Sequence, residues 1–405
     1  MSFRMVNTKH DTTSFENCGY KREIFDGNAL YDGFLKAKQG SDWKPPIQKF
    51  EMTYLLGLST IQDGLKNQTY DFKPTTDFVL RERGKVRFVS GEQFDDRIVK
   101  HCLCDEVLTP SLRPHLIYDN CASLQDRGID LTRKRLLVHL RKYYQQHKSN
   151  EGYILLIDYS KYYDNIQHEV FYELVKKYVS DPTALWLLRK ALDRAKVDVS
   201  YMDEEEFKEC MHTVFNSLEH SMLDKSLLTG EKFMNKHLNI GDQVAQAAGI
   251  AYPIPIDNHV KIGCSVPFYA RYTDDSYAID ESKEFLEALL RDITAIAETI
   301  GITVNLRKTR ICKLSDSWRF LQVQYSLTET GRVIQKINPK RLTDMRRKMK
   351  KVANKRYLSP TEFEDWYKSW FKAHYKLMSK KQRENLDTLY NKLKEELENV
   401  QNHPK

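Results

Sequence analysis

A short apolar run at residues 153–157, YILLI, leads directly into an aspartate, Asp158. The run is bounded by Gly152 and by a polar segment, and it is shorter than a typical helix, so it fits a fully buried β-strand. Residues 165–179, which follow, have the apolar spacing of an amphipathic helix. A carboxylate at the end of a buried strand loses hydration and needs a partner or a metal ion. The ordinary alternative is that Asp158 only begins a turn.

Residues 266–280, VPFYARYTDDSYAID, alternate apolar and polar side chains on both sides of a turn-forming sequence. This pattern predicts a β-hairpin with Asp274 and Asp275 at its tip. Two acids in a hairpin loop are ordinarily just solvated. Together with Asp158, they have a second interpretation, because carboxylates that converge from adjacent strand ends hold two magnesium ions about 3.5 to 4 Å apart for in-line phosphoryl transfer.

Other segments complete a mixed pattern of helices and strands. Residues 78–90 predict a hairpin that turns at Gly84, and residues 319–337 predict another that turns at Gly331. Helical periodicity recurs in residues 50–58, 95–108, 181–236, 282–300 and beyond about 340. The pattern predicts an α+β chain built from lobes rather than from separate linked domains.

The formal charge of +8 comes from one segment of the chain. The sequence has 64 lysines and arginines against 56 aspartates and glutamates. Nine basic residues and one acid lie between Lys340 and Arg356, so this block alone accounts for the net charge. Such a block indicates either a polyanionic partner or a solvated helix face, and both interpretations stay open at this point.

The cysteines and the apolar runs exclude other classes. Seven cysteines are scattered without the C-x-x-C spacing of a zinc site, so we expect reduced thiols. No apolar stretch approaches the roughly 18 residues of a membrane span, and residues 1–20 lack the apolar core of a signal peptide. We therefore expect a soluble, cytoplasmic protein with no membrane partner.

Six segments resemble the motifs of reverse transcriptases, in the expected order, between about residues 76 and 345. ILLIDYSKYYDNI resembles motif A, ARYTDDSYAI resembles the Tyr-X-Asp-Asp motif C, and GITVNLRKT resembles motif D. WRFLQVQYSL resembles the primer-grip hairpin, and NIGDQVAQAAGIAYPIPIDNHVK resembles motif B of bacterial members. RGKVRFVSGEQFDDRIVKHCLCDEVLTPSL resembles the fingers segment of group II intron-like enzymes. The resemblance implies an α+β, right-hand polymerase with a ferredoxin-like palm, fingers and a small helical thumb.

The same resemblance implies a division of the chain. Its parts would be an N-terminal extension (1–75), fingers (76–150), a palm (151–335) and a helical, basic thumb (336–405). The palm would carry a helical insertion at about 181–236 and the motif B segment at about 239–260.

By the resemblance, Asp158, Asp274 and Asp275 are catalytic acids that bind two Mg²⁺ ions, which Mn²⁺ can replace. Lys308 matches the motif D lysine that is proposed to protonate pyrophosphate, and an exposed lysine is the ordinary alternative. Tyr163 matches the steric gate, whose ring lies under the sugar and excludes a 2′-hydroxyl. Its ordinary alternative is a tyrosine packed in the palm.

The resemblance places substrate contacts in the first hairpin. Lys85 and Arg87 match the basic fingers residues that grip the incoming triphosphate, and Arg81 and Arg83 are close alternatives. Basic hairpin residues that only face solvent are the ordinary interpretation.

Motif B and the basic block supply the remaining candidates. Gly241 matches a small residue that lets the backbone approach the substrate, and Gln243 matches an amide that contacts the nucleotide or template. The basic block follows the primer-grip hairpin, where a thumb begins. Its expected contacts with the phosphates of the template-primer duplex are Arg346, Arg347, Lys350 and Lys351.

Some residues depart from the family pattern. Motif B reads Ile-Gly-Asp-Gln at residues 240–243, rather than Pro-Gln-Gly, and Thr273 is an uncommon second residue of motif C. The subfamily therefore stays open among bacterial group II intron-like, retron, diversity-generating and phage-defence enzymes. Only 49 residues follow Arg356, without a Cys/His pattern, so we do not expect an intron maturase with an endonuclease domain.

The sequence thus predicts an RNA-directed DNA polymerase that extends a 3′-hydroxyl with dNTPs. Its partners would be an RNA template and an RNA-DNA or DNA primer duplex, and a dedicated non-coding RNA and a partner protein also fit. The alternatives are a template-independent nucleotidyltransferase, an RNA-dependent RNA polymerase and a catalytically silent nucleic-acid-binding scaffold. Antiviral defence, retron-like synthesis and diversity-generating cDNA synthesis all remain open as biological roles.

Overall fold

The computed structural model describes residues 22–82, 85–355 and 358–402. The chain divides into two compact units. The first contains Met1–Thr132, Ile157–Tyr277 and Glu287–Arg310, and the second contains Arg133–Leu156, Ala278–Leu286 and Ile311–Lys405.

Helices and strands are mixed along the chain, as the sequence predicts. The helices are α1 (Gly27–Lys38), α2 (Pro45–Met52), α3 (Tyr54–Lys66), α4 (Phe94–Cys102), α5 (Thr109–Leu112), α6 (Ile129–His147), α7 (His168–Lys176), α8 (Pro182–Arg194), α9 (Glu204–His212), α10 (Ser217–His220), α11 (Gln243–Ala251), α12 (Ile254–Asn258), α13 (Lys283–Thr299), α14 (Pro339–Lys355), α15 (Pro360–His374) and α16 (Lys380–Asn402). The strands are β1 (Thr76–Glu82), β2 (Lys85–Gly91), β3 (Tyr153–Ile157), β4 (Val197–Asp198), β5 (Phe233–Met234), β6 (Tyr269–Tyr272), β7 (Asp275–Asp280), β8 (Arg310–Lys313), β9 (Trp318–Phe320), β10 (Val323–Leu327) and β11 (Val333–Ile337).

In the first unit, helix α1 packs closely against α4. A Cβ atom at Gly33 would lie 2.9 Å from the Cys102 sulfur and 3.0 Å from the Ile98 carbonyl oxygen, so the glycine permits this approach. Phe34 and Phe50 add aromatic contacts around the same helix pair, with ring centroids 5.8 Å apart. The helical character predicted for residues 50–58 is confirmed.

Strands β1 and β2 form the predicted antiparallel hairpin. Its expected turn, Arg83-Gly84, lies outside the described residues. Cross-strand partners include Leu80 with Arg87 and Arg81 with Val86. Because directly opposed residues point to the same face and successive residues to opposite faces, this register fixes which face each position occupies.

The four-stranded sheet β6-β7-β3-β8 contains the apolar run at residues 153–157 as strand β3. Residues 154–157 are buried, as a fully covered strand requires. A Cβ atom at Gly152 would lie 3.2 Å from the Asp280 carbonyl oxygen, so the beginning of β3 lies beside the end of β7. These two neighbours therefore run antiparallel, and the end of β3 lies beside the beginning of β7.

The segment at 181–236 differs from the wholly helical insertion that the sequence predicts. Helices α8, α9 and α10 are present, but β4 and β5 also pair as a short antiparallel ladder. The two strands are only two residues long, so their period-2 pattern is too short to be recognised in the sequence.

In the second unit, β9, β10 and β11 form an antiparallel sheet. The predicted hairpin between residues 319 and 337 is confirmed for β10 and β11, and a bend divides its first half into two strands. Leu321 and Gln322 make this bend with φ angles of +42° and +68°. The Trp318 and Tyr325 rings, on the paired strands β9 and β10, stack with centroids 5.2 Å apart.

Helices α14, α15 and α16 complete the second unit around their own apolar core. Phe363, Tyr367 and Leu386 are buried at its centre. Trp366 and Trp370 pack against this core while remaining partly exposed. Among the described residues, none of the helices combines the length and the apolar composition of a membrane span.

Candidate active site

The three candidate aspartates lie at one edge of the central sheet. Asp158 directly follows β3, Asp274 occupies the loop between β6 and β7, and Asp275 begins β7. Because the end of β3 lies beside the beginning of β7, Asp158 lies across from Asp274. All three side chains are partly buried. The sequence placed both Asp274 and Asp275 at the hairpin tip, whereas Asp275 is already part of the strand.

Lys308 contacts the first of these carboxylates. Its Nζ atom lies 3.0 Å from Oδ2 of Asp158, and its side chain remains 63% exposed. A backbone hydrogen bond links the segments that carry this pair, since the amide of Asn305 donates to the Asp158 carbonyl at 2.8 Å. The Thr309 hydroxyl lies 3.3 Å from the Asp158 amide nitrogen, which donates to it. The motif D candidate Lys308 therefore lies beside Asp158, one of the three candidate acids.

The loop before Asp274 is held by a fully buried arginine that sequence analysis did not single out. The Arg271 guanidinium pairs with Asp257, with a shortest N–O distance of 2.7 Å. Its Nη1 atom also donates to the carbonyls of Gly249 and Thr273, each at 3.0 Å. Thr273 has a φ angle of +55°, which is unfavourable for a β-branched residue. Such strain persists only where surrounding contacts over-determine it, and Arg271 provides them.

Tyr163 lies beside Asp274 and against helix α11. Burial first, and then the charge of Asp274, raise the pKa of the Tyr163 hydroxyl. A Cβ atom at Gly249 would lie 2.6 Å from the Tyr163 hydroxyl oxygen and 3.2 Å from Cγ2 of Thr273. Gly249 therefore leaves the space that the tyrosine ring occupies. Sequence analysis missed this residue, and the only available signal was a glycine inside the helical pattern of motif B.

A buried ion triad fixes the beginning of helix α11. Asp242 caps this helix by accepting a hydrogen bond from the Val244 amide at 2.8 Å. Lys100, in α4, donates to the other Asp242 oxygen at 2.6 Å and also contacts Glu92. Burial, together with the Asp242 charge, raises the pKa of Glu92 to about 7. The triad thus ties the fingers-like segment to motif B, through residues that no local pattern connects.

Residues 73–325 match the family model described as "Reverse transcriptase (RNA-dependent DNA polymerase)". The match covers more than half of the 405 residues. The chain belongs to the reverse transcriptase family. Its members are RNA-directed DNA polymerases, and membership confirms the right-hand polymerase fold that the sequence motifs imply.

Two solved telomerase structures are similar to this chain, each at 12% sequence identity. Telomerase from Candida albicans in complex with a TWJ fragment of telomeric RNA aligns with a TM-score of 0.42, over 72% of this chain and 50% of that chain. Apo telomerase from Candida tropicalis aligns with a TM-score of 0.44, over 65% and 48%. The chain spans about half the length of these structures. No curated protein matches it in sequence.

The two motif B candidates, Gly241 and Gln243, have different surroundings. Gly241 has a φ angle of +101°, and a Cβ atom there would meet open space. The glycine is therefore required by backbone conformation rather than by crowding. Gln243 begins α11, where its Nε2 atom lies 3.5 Å from Nε2 of His101. Gln243 also lines a cleft with Gln246 and Arg113.

The first hairpin carries its basic candidates on two different faces. By the β1-β2 register, Arg87 lies on the same face as position 85, whereas Arg81 lies on the opposite face. The side chains of Lys85 and Arg83 lie outside the part of the chain that the structure describes. A ligand bound along one face of this hairpin therefore contacts Arg87 or Arg81, not both.

The basic helix α14 has one apolar face and one charged face. Leu342, Met345 and Met349 are buried in the core of the second unit. The candidates Arg347, Lys350 and Lys351 are exposed, and Arg346 is partly buried at the border of the two faces. Elsewhere in the basic block, Lys348 lies over the Trp366 ring at 5.1 Å, Arg341 contacts His374, and Arg356 lies outside the described residues.

The contact between Gly249 and Tyr163 predicts a specific pair of mutants. We expect Gly249→Ala to slow dNTP incorporation by about tenfold, because a new methyl group costs about 1 to 3 kcal/mol in a packed site. Adding Tyr163→Phe removes the hydroxyl, and the nearest ring carbon then lies 3.3 Å from the methyl group. Steady-state primer extension should show that the double mutant recovers most of the lost rate. Equal rates for the single and double mutants would contradict this contact.

Proposed function

We propose that the chain is an RNA-directed DNA polymerase whose reaction takes place at Asp158, Asp274 and Asp275. The observation that carries this proposal is the position of the three carboxylates at one sheet edge, with Lys308 and Tyr163 beside them. Family membership alone indicates the type of reaction, whereas these five residues are the candidates to perform it. A catalytically silent scaffold has no need of three carboxylates at one sheet edge with a lysine and a tyrosine beside them.

The donor set fits divalent magnesium. Carboxylate oxygens are the ligands that Mg²⁺ prefers, and Mn²⁺ accepts the same ligands. Asp158, Asp274 and Asp275 would hold two ions, which supply charge neutralisation and activation of the attacking 3′-hydroxyl. Their partial burial suits this role, because solvent and a bound ion can both reach the carboxylates.

The remaining residues position the substrates. Tyr163 would exclude a ribonucleotide by its ring, and Lys308 would donate a proton to the departing pyrophosphate. Arg87, with Lys85 on the same hairpin strand, would contact the incoming triphosphate, and Arg81 is the candidate on the opposite face. Gly241 and Gln243, at the beginning of α11, would border the nucleotide or the template. In the proposed division of the chain, residues 76–150 are the fingers, 151–335 the palm and 336–405 the thumb, and residues 1–75 are an N-terminal extension.

The biological setting proposed here is bacterial cDNA synthesis. Its support is motif B, Ile-Gly-Asp-Gln at residues 240–243, which resembles diversity-generating and unclassified bacterial enzymes. Retron-like synthesis and antiviral defence use the same chemistry. A dedicated non-coding RNA would then serve as the template, and a partner protein would bind the chain.

A template experiment tests the proposed reaction. We expect the purified chain to extend a DNA primer on an RNA template with dNTPs in Mg²⁺, and to stop at the template end. Omission of the template should abolish incorporation, and replacement of dNTPs by rNTPs should reduce it strongly. Template-free incorporation would instead support a nucleotidyltransferase, efficient rNTP incorporation an RNA polymerase, and no incorporation a scaffold.

Helix α14 is proposed to grip the template-primer duplex by its phosphates. Replacing Arg347, Lys350 and Lys351 together by glutamine should make the slope of log affinity against log salt shallower by about 2 to 3, at about 0.7 to 0.9 per lost phosphate contact. Fluorescence anisotropy with a labelled RNA-DNA hybrid over a range of salt concentrations measures this slope.

A matched triple mutant controls for the change in net charge. Lys376, Lys380 and Lys381 are exposed and lie beyond α14 in the same unit, so their replacement by glutamine removes the same charge elsewhere. We expect the slope of this control to stay close to that of the unmodified chain. Equal slopes for the two triple mutants would rule out a specific contact by α14.

A further inference from the structure

Three side chains of metal-ligating types meet in the first unit, apart from the proposed polymerase residues. They are His259, Cys264 and Asp292. The Nε2 atom of His259 lies 3.3 Å from the Cys264 sulfur and 3.3 Å from Oδ2 of Asp292. The three potential ligand atoms all lie within 4.8 Å of one another.

A π-helical segment brings the first two residues together. This segment, His259–Gly263, directly follows helix α12, and the Cys264 amide donates to the His259 carbonyl at 2.7 Å. The i to i+5 bond sets the cysteine beside the histidine that precedes it by five residues. Asp292 joins them from helix α13. Short π-helical segments are rare in proteins, and they are frequently found at functional sites.

The distances fit a tetrahedral ion with nitrogen and sulfur ligands. With Zn–N at about 2.0 to 2.1 Å and Zn–S at about 2.3 Å, tetrahedral ligand atoms lie roughly 3.3 to 3.6 Å apart. Both measured separations from His259 Nε2 are 3.3 Å. A thiolate and an imidazole select zinc-class ions over magnesium, which prefers oxygen. The thiolate and the carboxylate together also balance a double positive charge.

We propose that His259, Cys264 and Asp292 bind one divalent ion of the zinc class. Three protein ligands leave a fourth position for water, and the side chains of His259 and Asp292 are 32% and 54% exposed, so solvent reaches it. The ion joins the π-helical segment to α13 and stabilises this part of the fold. This proposal is independent of the proposed polymerase reaction, because none of its ligands takes part in that reaction.

Cobalt(II) titration of the full chain tests the proposal, because thiolate coordination gives a near-ultraviolet charge-transfer absorption. A carboxylate site for magnesium cannot produce this absorption. We expect it to saturate at one equivalent of cobalt and to disappear on addition of zinc. Cys264→Ser should abolish it, and His259→Ala should lower the cobalt affinity at least tenfold. Absence of the absorption in the unmodified chain, or its persistence in Cys264→Ser, would overturn the proposal.

Two further variants separate metal binding from folding. Cys210, another partly exposed free cysteine, provides a matched control, and Cys210→Ser should retain the charge-transfer absorption. Asp292→Asn changes only one exposed side chain and should fold normally. Zinc should raise the melting temperature of the unmodified chain and of Cys210→Ser, but not that of Asp292→Asn. An equal rise in Asp292→Asn would overturn the role of the aspartate and the three-ligand site with it.

Discussion

Asp274→Asn should abolish primer extension while the protein remains folded. Asparagine has nearly the same volume as aspartate but carries no charge, so the substitution removes a metal-ligand charge without creating a cavity. Several kcal/mol of transition-state stabilisation depend on such a charge, which corresponds to a loss of about 1,000-fold or more in rate. Single-turnover dNTP incorporation on an RNA template measures this loss, and circular dichroism with thermal melting checks the fold.

Asp280→Asn is the matched control for this experiment. Asp280 ends strand β7, on which Asp275 is the first residue, and its carboxylate accepts a hydrogen bond from the Ser282 amide at 2.9 Å. An asparagine oxygen accepts the same bond, so we expect near-normal extension by this variant. If Asp274→Asn retained more than about a tenth of the original rate, Asp274 would not hold a catalytic ion.

The sequence was sufficient to predict those structural elements that are determined by residues close together in the chain. The run at 153–157 is a buried strand because its apolar side chains have no polar face to present. The hairpin around Asp274 follows from alternation interrupted by a turn-forming sequence. Helix α13 begins after Ser282, whose hydroxyl accepts a hydrogen bond from the Phe285 amide at 3.0 Å, and Gly301 follows its end with a φ angle of +78°. In each case, the residues that determine the element lie within it or within a few positions of its ends.

The parts of the site that the sequence did not reveal depend on distant contacts. Lys100 meets Asp242 across 142 positions of the chain, and Tyr163 meets Gly249 across 86. Local periodicity assigns a lysine to a helix, but it does not show that the lysine is buried against two carboxylates. The pairing becomes visible only when the fold brings α4 and α11 together.

The sequence also did not reveal which face of the first hairpin each basic side chain occupies. Alternation predicted the two strands, but the face of each side chain depends on the exact pairing. A shift of one residue would exchange the faces of Arg87 and its neighbours. The observed register assigns Arg87 and its alternative, Arg81, to opposite faces, so the two residues become distinct hypotheses for the triphosphate contact.

Tyr163→Ala should make the enzyme accept ribonucleotides. The ring rests against α11 at Gly249 and is partly buried, so it has little freedom to move away from a 2′-hydroxyl. Removing it opens that space, and we expect the preference for dNTPs over rNTPs to fall by about 100-fold, which corresponds to about 3 kcal/mol. The ratio of kcat/KM for a dNTP and the matching rNTP, on the same RNA template, measures this preference.

Tyr163→Phe distinguishes the ring from the hydroxyl. A phenylalanine keeps the ring that would exclude the ribose hydroxyl, so its preference for dNTPs should stay within about threefold of the original. A fall of similar size in both variants would assign discrimination to a hydrogen bond of the Tyr163 hydroxyl instead. An unchanged preference in Tyr163→Ala would remove Tyr163 from discrimination altogether. Its contact with Gly249 would then serve only to pack motif A against helix α11.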